Sequence, residues 1–372
     1  MSPKVDPRRI ARKGILELGA YVPGKATEEV KEAYGLEEVV KLASNECPLP
    51  LPDGLREVIE AEFVNLARYP DGHCRKLRRR VAAYLGVQEE CLLFGNGAEE
   101  CIRLIGQAFL NPSDAGLIPS PIFDAYETAI RMPGAKVVKV PIKDYQIDLE
   151  AMLSAVDRST KIVWLCSPAN PTGKIISRDA FEGFLSRLPE NILVVLDEAY
   201  REFVADKRAA HAQDYIERDA RVIGLRTFSK AFGLAGLRVG YLVAHPSVIE
   251  IVSMVKLPFN VNRLAQAAAL SMLEEEDFVQ NHVEMIQSER EHLRRELEER
   301  GAFVVPSEAN FLLVKLPLDG DELFKRLLPL GFIIRPGSLW GLNQYIRLTV
   351  GTPEQNRRFL SHVDTLLAGS NK

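Results

Sequence analysis

One lysine stands among small and apolar residues in the stretch TFSKAFGLAGLRVG, residues 227–240. A lysine amine attacks an aldehyde only when it is neutral, so it requires a desolvated site or nearby cations. Thr227 and Ser229 add hydroxyl groups beside Lys230, and Arg238 adds a fixed positive charge that suits a phosphate. A surface lysine in a glycine-rich loop would show the same local pattern, so the rest of the chain must decide.

A pair of carboxylates, Asp197 and Glu198, ends the apolar run ILVVL and is followed by Tyr200. A carboxylate at the end of a buried strand is costly unless a cation or a hydrogen-bond donor pairs with it. The pattern therefore favours a functional site, although a structural ion pair or a helix N-cap would use the same residue types.

The segment SPANPTG (167–173) places the amide of Asn170 directly after the apolar run IVWLC. Its Asn170–Pro171 bond is a candidate cis peptide. A plain turn remains the alternative, because asparagine, proline, threonine and glycine are all turn formers.

The segment GNGAEE (95–100) follows the run CLLF and opens a predicted helix. It contains Gly97, Ala98 and Glu99, and the free backbone N–H groups of such a helix start bind anions. An ordinary glycine-containing turn is the alternative, since short glycine motifs are weak signals.

Short apolar runs alternate with amphipathic stretches through the middle of the chain. This alternation predicts an α/β fold with a largely parallel sheet that helices cover on both faces. Ile102, Ile105 and Phe109 predict the buried stripe of one such helix. Because ligands of these sheets bind at the carboxyl ends of the strands, the polar segments are expected to meet at one edge. The predicted strands are CLLF (91–94), GLIP (116–119), AKVVKVPI (135–142), IVWLC (162–166), ILVVL (192–196) and VIGL (222–225).

The pattern of charged and apolar residues changes after about residue 262. Residues 264–300 are rich in charge and predict helices with a solvated face. The runs FVV, NFLLVKL, FIIR and YIRLTV then predict short strands around one helix. We therefore expect a smaller α+β domain at this end.

The composition narrows the classes of function. A net charge of −4 without a concentrated basic surface favours a small-molecule partner over a nucleic acid. Five scattered cysteines without a CxxC motif predict free thiols in a reducing, cytoplasmic setting. The N-terminal stretch lacks the core of a signal peptide, no apolar run is long enough for a membrane span, and the six histidines lack metal-ligand spacing.

The chemistry-bearing segments become specific when they are taken together. They supply an anion-binding helix start, an amide, a buried carboxylate beside a tyrosine, a lysine and an arginine. This set suits a phosphorylated pyridine aldehyde, because the carboxylate keeps the ring nitrogen protonated, the lysine bonds the aldehyde and the phosphate anchors the far end.

The chain resembles the fold-type-I, class II aminotransferases that depend on pyridoxal 5'-phosphate (PLP), and among them it is similar to the histidinol-phosphate aminotransferases. TFSKAFGLAGLRVG matches the family's lysine signature, and NPTG, DEAY, GFIIRPG and YIRLTVGT occur in the family's order. AYVPGK and ASNECPLP match its opening segment, with Cys47 where the family usually has asparagine.

The resemblance implies a large domain with a mostly parallel seven-stranded sheet and a smaller α+β domain. It divides the chain into an N-terminal segment that packs with the small domain and lid (1–45), a large PLP-binding domain (46–262) and a small C-terminal domain (263–372).

The resemblance also implies a role for each matching residue. Lys230 would be the covalent attachment and the proton carrier, Asp197 would pair the pyridine nitrogen, and Tyr200 would hold the phenolic oxygen. The implied cofactor-binding residues are Gly97, Ala98, Glu99, Phe123, Asn170, Asp197, Tyr200, Thr227, Ser229, Lys230, Arg238 and Tyr69. Among them, Phe123 would stack on the cofactor ring. Tyr69 would reach the phosphate of a neighbouring subunit, in a homodimer with shared sites. The implied substrate-binding residues are Tyr21, Asn45, Arg335 and Arg347.

The implied reaction is reversible amino transfer between histidinol phosphate and 2-oxoglutarate in histidine biosynthesis. Two arginines suit a dianionic phosphate better than a single carboxylate, although a strand-end arginine such as Arg335 is often a surface ion pair. A broad aromatic aminotransferase and a PLP-dependent decarboxylase of a phosphorylated amino acid remain alternatives. A PLP-binding module fused to transcription control is disfavoured, because no helix-turn-helix pattern precedes the large domain.

Overall fold

Two β-sheets and the helices around them make up the computed structural model, which describes residues 6–16, 18 and 24–370. Among these residues, no helix combines the length and the apolar composition that a membrane span requires. The strands are β1 (Val40–Leu42), β2 (Leu92–Gly95), β3 (Ala115–Ser120), β4 (Lys136–Pro141), β5 (Thr160–Cys166), β6 (Leu193–Asp197), β7 (Val222–Thr227), β8 (Gly240–Ala244), β9 (Phe303–Val305), β10 (Phe311–Lys315), β11 (Phe332–Pro336) and β12 (Tyr345–Thr349). The α-helices are α1 (Lys13–Leu16), α2 (Thr27–Tyr34), α3 (Asp53–Ala61), α4 (Arg75–Leu85), α5 (Ala98–Phe109), α6 (Ala125–Arg131), α7 (Leu149–Ser154), α8 (Arg178–Arg187), α9 (Pro246–Ser253), α10 (Arg263–Met272), α11 (Glu276–Glu299), α12 (Gly320–Leu327) and α13 (Pro353–Ser370).

The larger sheet has seven strands in the order β2-β8-β7-β6-β5-β3-β4. Only β8 runs antiparallel to its neighbours, β2 and β7, and the remaining pairs are parallel. The carboxyl ends of the other six strands therefore meet at one edge of the sheet. All six strands predicted from apolar runs are confirmed, and β8 is the strand that the runs did not indicate.

Both faces of this sheet are covered, as the apolar runs predict. Successive side chains of a strand point to opposite faces. Along β8, Leu242 belongs to the hydrophobic cluster that contains Trp164, whereas Tyr241 and Val243 belong to the cluster that contains Phe94. The sheet thus separates two large cores, and polar groups are accommodated at its edges and strand ends.

Helix α5 follows β2 and carries the predicted stripe. Ile102 and Ile105 are fully buried, and Phe109 is half-buried at the end of the helix. This packing fixes the start of the helix at Ala98, directly after the glycine-containing turn.

The smaller sheet has five strands in the order β1-β11-β12-β10-β9. Strand β1 comes from the N-terminal part of the chain and pairs in parallel with β11. A separate core, with Leu293 and Leu297 of α11 and Phe359 of α13, lies against this sheet. The domain boundaries at residues 45 and 262 remain predictions.

Candidate active site

A cavity of about 290 Å³ lies at the carboxyl ends of the parallel strands. It collects side chains from the carboxyl ends of five strands of the larger sheet: β2, β3, β5, β6 and β7. The predicted site residues that line it are Asn45, Ala98, Glu99, Phe123, Asn170, Asp197, Tyr200, Thr227, Ser229, Lys230, Arg238, Arg335 and Arg347. A larger groove of about 1140 Å³ between α8 and α11 contains none of them, so its size does not mark it as the reactive site.

Lys230 extends from the loop after β7 into the cavity, where its Nζ donates a hydrogen bond to the carbonyl of Ser44 at 2.9 Å. Burial and the positive charge of Arg347 lower the pKa of this amine to about 7. A substantial part of Lys230 is therefore neutral near pH 7, which is the condition that a nucleophilic amine requires.

Asp197 ends β6 at the base of the cavity and is only 4% exposed. Its Oδ2 accepts a hydrogen bond from the hydroxyl of Tyr126 at 2.7 Å, and its Oδ1 accepts one from the backbone N–H of Ala199 at 2.9 Å. Burial raises the pKa of the carboxyl to about 6, while these two donors favour its charged form. Tyr126 was not among the predicted site residues, although its position three after Phe123 places both near the start of α6.

Tyr200 directly precedes a short 3-10 helix, Arg201–Phe203, that follows β6, and burial raises the pKa of its phenol to about 12. Its Oη accepts hydrogen bonds from the amides of Asn45, at 3.0 Å, and Asn170, at 3.5 Å. The Asn170–Pro171 bond is cis, as the sequence suggested. Because two amide donors occupy the oxygen, the phenolic hydrogen is left to act as a donor.

The end of the cavity at the start of α5 has the features of an anion site. Gly97 has a positive φ of 79° and precedes the first residue of α5, and a Cβ at this position would lie 2.6 Å from Nη2 of Arg238. A Cβ on Gly240 would lie 2.4 Å from the backbone nitrogen of Ala98. Both glycines therefore allow the guanidinium and the helix start to approach each other, which concentrates N–H donors at one place.

Two hydroxyl residues flank this anion end, because β7 ends at Thr227 and the loop continues through Ser229. The backbone N–H of Ser229 donates to Oγ1 of Thr227 at 3.1 Å, and both residues line the cavity. The structure thus brings Thr227, Ser229 and Arg238 together, as the sequence predicts.

Arg347 and Arg335 stand at the cavity end away from the helix start. Arg347 is buried on β12, and its Nη1 donates to Oδ1 of Asn170 at 2.8 Å. Arg335 on β11 is its direct register partner across the antiparallel pair. Trp340 also lines this end and was not predicted, since a lone tryptophan in a loop gives no periodic signal.

Gly97 and Tyr69 are predicted site residues that do not line this cavity, although Gly97 directly precedes the start of α5. Tyr69 is 79% exposed and stacks on Phe259, with ring centroids 4.6 Å apart. Tyr21 lies outside the described residues.

A lysine of lowered pKa and a buried carboxylate of raised pKa, placed at the carboxyl ends of one α/β sheet, are the features expected of an enzyme active site. The family described as "Aminotransferase class I and II" matches residues 37–363, and the chain belongs to this family. Its chemistry is accordingly that of a transaminase.

Named relatives and solved structures agree with this assignment. The chain is 42% identical to the histidinol-phosphate aminotransferase of Moorella thermoacetica over 359 residues, which are 96% of this chain and 93% of that protein. It is 43% identical to the enzyme of the same name from Geobacillus thermodenitrificans, over 94% of this chain and 96% of that protein. Among solved structures, the histidinol-phosphate aminotransferase of Sinorhizobium meliloti in complex with pyridoxal-5'-phosphate is similar, with a TM-score of 0.85, 26% identity and coverage of 94% of this chain and 95% of that one.

Proposed function

We propose that this chain binds PLP and transfers an amino group between L-histidinol phosphate and 2-oxoglutarate, as a step of histidine biosynthesis. The observation that carries the substrate proposal is the pair Arg335 and Arg347. These residues are direct register partners on β11 and β12, so their side chains share one face of the sheet. Two neighbouring guanidinium groups on one face can both donate to a dianionic phosphate.

The residues of the cavity fit PLP. Asp197 provides a buried carboxylate for a protonated pyridine nitrogen, and Lys230 provides an amine for the aldehyde. Gly97 and Gly240 keep the helix start and Arg238 close together, which suits the phosphate. When bound, PLP supplies an electron sink for the carbon that loses its proton.

The chain's own groups carry the proton movements in this proposal. Lys230, with a pKa of about 7, takes a proton at Nζ from the carbon of the amine substrate and returns it. Tyr200 keeps its proton near neutral pH, since the pKa of its phenol is about 12, and donates this hydrogen into the cavity. The two arginines hold the substrate anion so that its reacting carbon stays near Lys230.

We further propose that two copies of the chain form a homodimer that shares its active sites. Two neighbouring segments expose apolar side chains that a monomer would leave in water, and Tyr69 and Phe259 stack between these segments. Arg263 joins them as well, because its Nη2 donates to the carbonyl of Tyr69 at 2.9 Å. The exposed apolar residues are Phe63, Val64, Leu66, Tyr69, Met254, Leu257 and Phe259.

A substrate panel tests the function. We expect the PLP-loaded enzyme to convert L-histidinol phosphate with 2-oxoglutarate at a far higher kcat/KM than L-phenylalanine or L-tyrosine. A preference for the aromatic amino acids would contradict the substrate, and CO₂ release without formation of glutamate would select a decarboxylase.

One variant sharpens this test. Arg335→Gln removes one of the two cations, so we expect KM for L-histidinol phosphate to rise by about 10- to 100-fold. KM for phenylalanine should rise less, because phenylalanine has no phosphate. Arg56→Gln is the matched control, because Arg56 is an exposed arginine on α3 that pairs only locally with Glu60 at 2.7 Å. Equal effects of Arg335→Gln on both substrates would contradict a phosphate role for this residue.

A further inference from the structure

Trp340 ends a short 3-10 helix, Gly337–Trp340, between β11 and β12, and it lines the substrate end of the cavity. Its ring centroid lies 5.2 Å from Cζ of Arg347, and the ring of Phe311 lies 5.5 Å from the same atom. Two aromatic rings therefore contact one guanidinium, a cation–π arrangement.

The loop that carries Trp340 is built tightly. A Cβ on Gly337 would lie 2.4 Å from the carbonyl oxygen of Leu342, so the chain turns back closely on itself here. The hydroxyl of Ser338 donates to Asp321 Oδ1 at 2.8 Å and ties the loop to α12. The position of the indole is thus set by the fold of the loop.

An aromatic partner has a particular consequence for an anion-binding arginine. An aromatic face stabilises the cation through its ring and uses none of the guanidinium N–H groups. Oδ1 of Asn170, 2.8 Å from Nη1, and the carbonyl of Ala43 orient the guanidinium in its plane. Trp340 and Phe311 add contacts from the rings.

We propose that Trp340 is a positioning residue that holds the guanidinium of Arg347 and thereby sets the affinity of the site for the substrate anion. The proposal rests on the proposed function, in which Arg347 binds that anion. It predicts an effect on binding rather than on turnover, because Trp340 acts through Arg347 and not on the reacting carbon.

The test compares Trp340→Leu with Trp340→Phe in the PLP-loaded enzyme. We expect Trp340→Leu to raise KM for L-histidinol phosphate and for 2-oxoglutarate by about tenfold with kcat nearly unchanged, and Trp340→Phe to restore KM to within about threefold. Leu339→Ala is the matched control, because Leu339 lies in the same 3-10 helix, is exposed and does not line the cavity.

A second readout needs no turnover. In the PLP-loaded enzyme, we expect inorganic phosphate to bind the folded state at Arg335 and Arg347. It should therefore raise Tm of the wild type and of Trp340→Phe, and raise Tm of Trp340→Leu much less. If Trp340→Leu does not fold, Trp340→Met takes its place, since it also lacks a ring.

Equal KM values and equal Tm responses in the wild type and Trp340→Leu overturn the proposal, as does a fall in kcat at constant KM. Failure of the proposed function can be distinguished from failure of the role proposed for Trp340. The responses to 2-oxoglutarate and phosphate report on Trp340 even if L-histidinol phosphate is not the amine substrate.

Discussion

Asp197 is a buried carboxyl whose charged form is stabilised by two hydrogen-bond donors. Burial raises the pKa of its carboxyl, which reaches about 6 even with two hydrogen-bond donors opposing the shift. The hydroxyl of Tyr126 and the backbone N–H of Ala199 favour the charged form. Tyr126 is itself immobilised by stacking on Trp164, with ring centroids 5.3 Å apart. The charge available to pair with a pyridine nitrogen therefore depends on a residue outside the recognised motifs.

Tyr126→Phe should expose this dependence in a pH profile. Loss of a hydrogen bond to a charged acceptor is worth about 1.5–3 kcal/mol, so the pKa of Asp197 should rise and the acid limb of kcat/KM should move upward by about one pH unit or more. Activity should fall most near pH 6 and recover toward pH 8. Steady-state assays from pH 5.5 to 9 measure the shift.

The control for this prediction is Tyr215→Phe. Tyr215 belongs to the same hydrophobic cluster, and its hydroxyl lies 3.4 Å from Glu182, away from the cavity. An unchanged acid limb in Tyr126→Phe, or an equal shift in Tyr215→Phe, would show that the hydroxyl of Tyr126 does not tune Asp197.

At the scale of elements, the cavity is foreseeable because the carboxyl ends of parallel strands must meet. Four polar segments each follow an apolar run, and periodicity is enough to place Ala98, Asn170, Asp197 and Lys230 at one edge. The seventh strand, β8, gives no separate sequence signal, because its residues GYLVA continue directly from the lysine segment. Its antiparallel place between β2 and β7 depends on long-range pairing that has no local signal.

The residues that the sequence did not reveal share a physical cause. Tyr126 and Trp340 are aromatic residues whose spacing is that of ordinary core or loop positions. Their importance comes from a partner far along the chain, Asp197 for Tyr126 and Arg347 for Trp340. Contacts of this kind follow from tertiary packing and not from a local pattern.

Helix α11 reaches the lysine loop through His282. This histidine is fully buried, and its Nδ1 donates to the carbonyl of Ala231, next to Lys230, at 2.9 Å. Sγ of Cys47 lies 3.6 Å from the same nitrogen. The Nε2 atom has no hydrogen-bond partner among the described residues, and burial lowers the pKa of the ring. One imidazole thus connects α11, the lysine loop and the segment between β1 and α3 that contains Cys47.

His282→Phe should destabilise the protein by about 1–3 kcal/mol at pH 7, because the carbonyl of Ala231 loses its donor. The pH dependence has a definite sign. A lowered folded-state pKa means that the unfolded chain binds a proton more readily, so the stability contributed by His282 is present above about pH 6.5 and is lost as pH falls. The difference in unfolding free energy between wild type and variant should therefore narrow between pH 7 and pH 5. Urea denaturation at the two pH values measures it.

His292→Phe provides the matched control on the same helix, because His292 is exposed. We expect it to change stability little at either pH. If the difference in unfolding free energy between wild type and His282→Phe stays constant or widens from pH 7 to pH 5, burial does not hold this imidazole neutral.

At the scale of the whole molecule, the position of Tyr69 distinguishes a self-contained site from a shared one. Its side chain is exposed and does not line the cavity of its own chain, although the family resemblance assigns it to a cofactor phosphate. It lies within the exposed apolar surface of residues 63–69 and 254–259. A symmetric pairing of this surface with a second copy would bring each Tyr69 to the partner's site.

Mixing two defective variants tests this sharing. Tyr69→Phe removes only a hydroxyl, and it should weaken PLP binding by about tenfold or more. Lys230→Ala should abolish turnover. If each site uses Lys230 from one chain and Tyr69 from the other, a hybrid dimer contains one fully native site and one site with both defects. Random exchange makes about half of the dimers hybrid, so activity should return to about one quarter of the wild-type value when PLP is too dilute to load Tyr69→Phe homodimers.

The control mixture combines Lys230→Ala with Asp197→Ala. Both residues line one cavity of one chain, so every site in this hybrid carries one of the two defects and no activity should return. Differently tagged chains that co-purify establish that exchange has occurred in both mixtures. Verified exchange without recovered activity in the Tyr69→Phe mixture would place the hydroxyl of Tyr69 outside the partner's site. Recovery in that mixture alone requires that the two halves of one active site come from different chains.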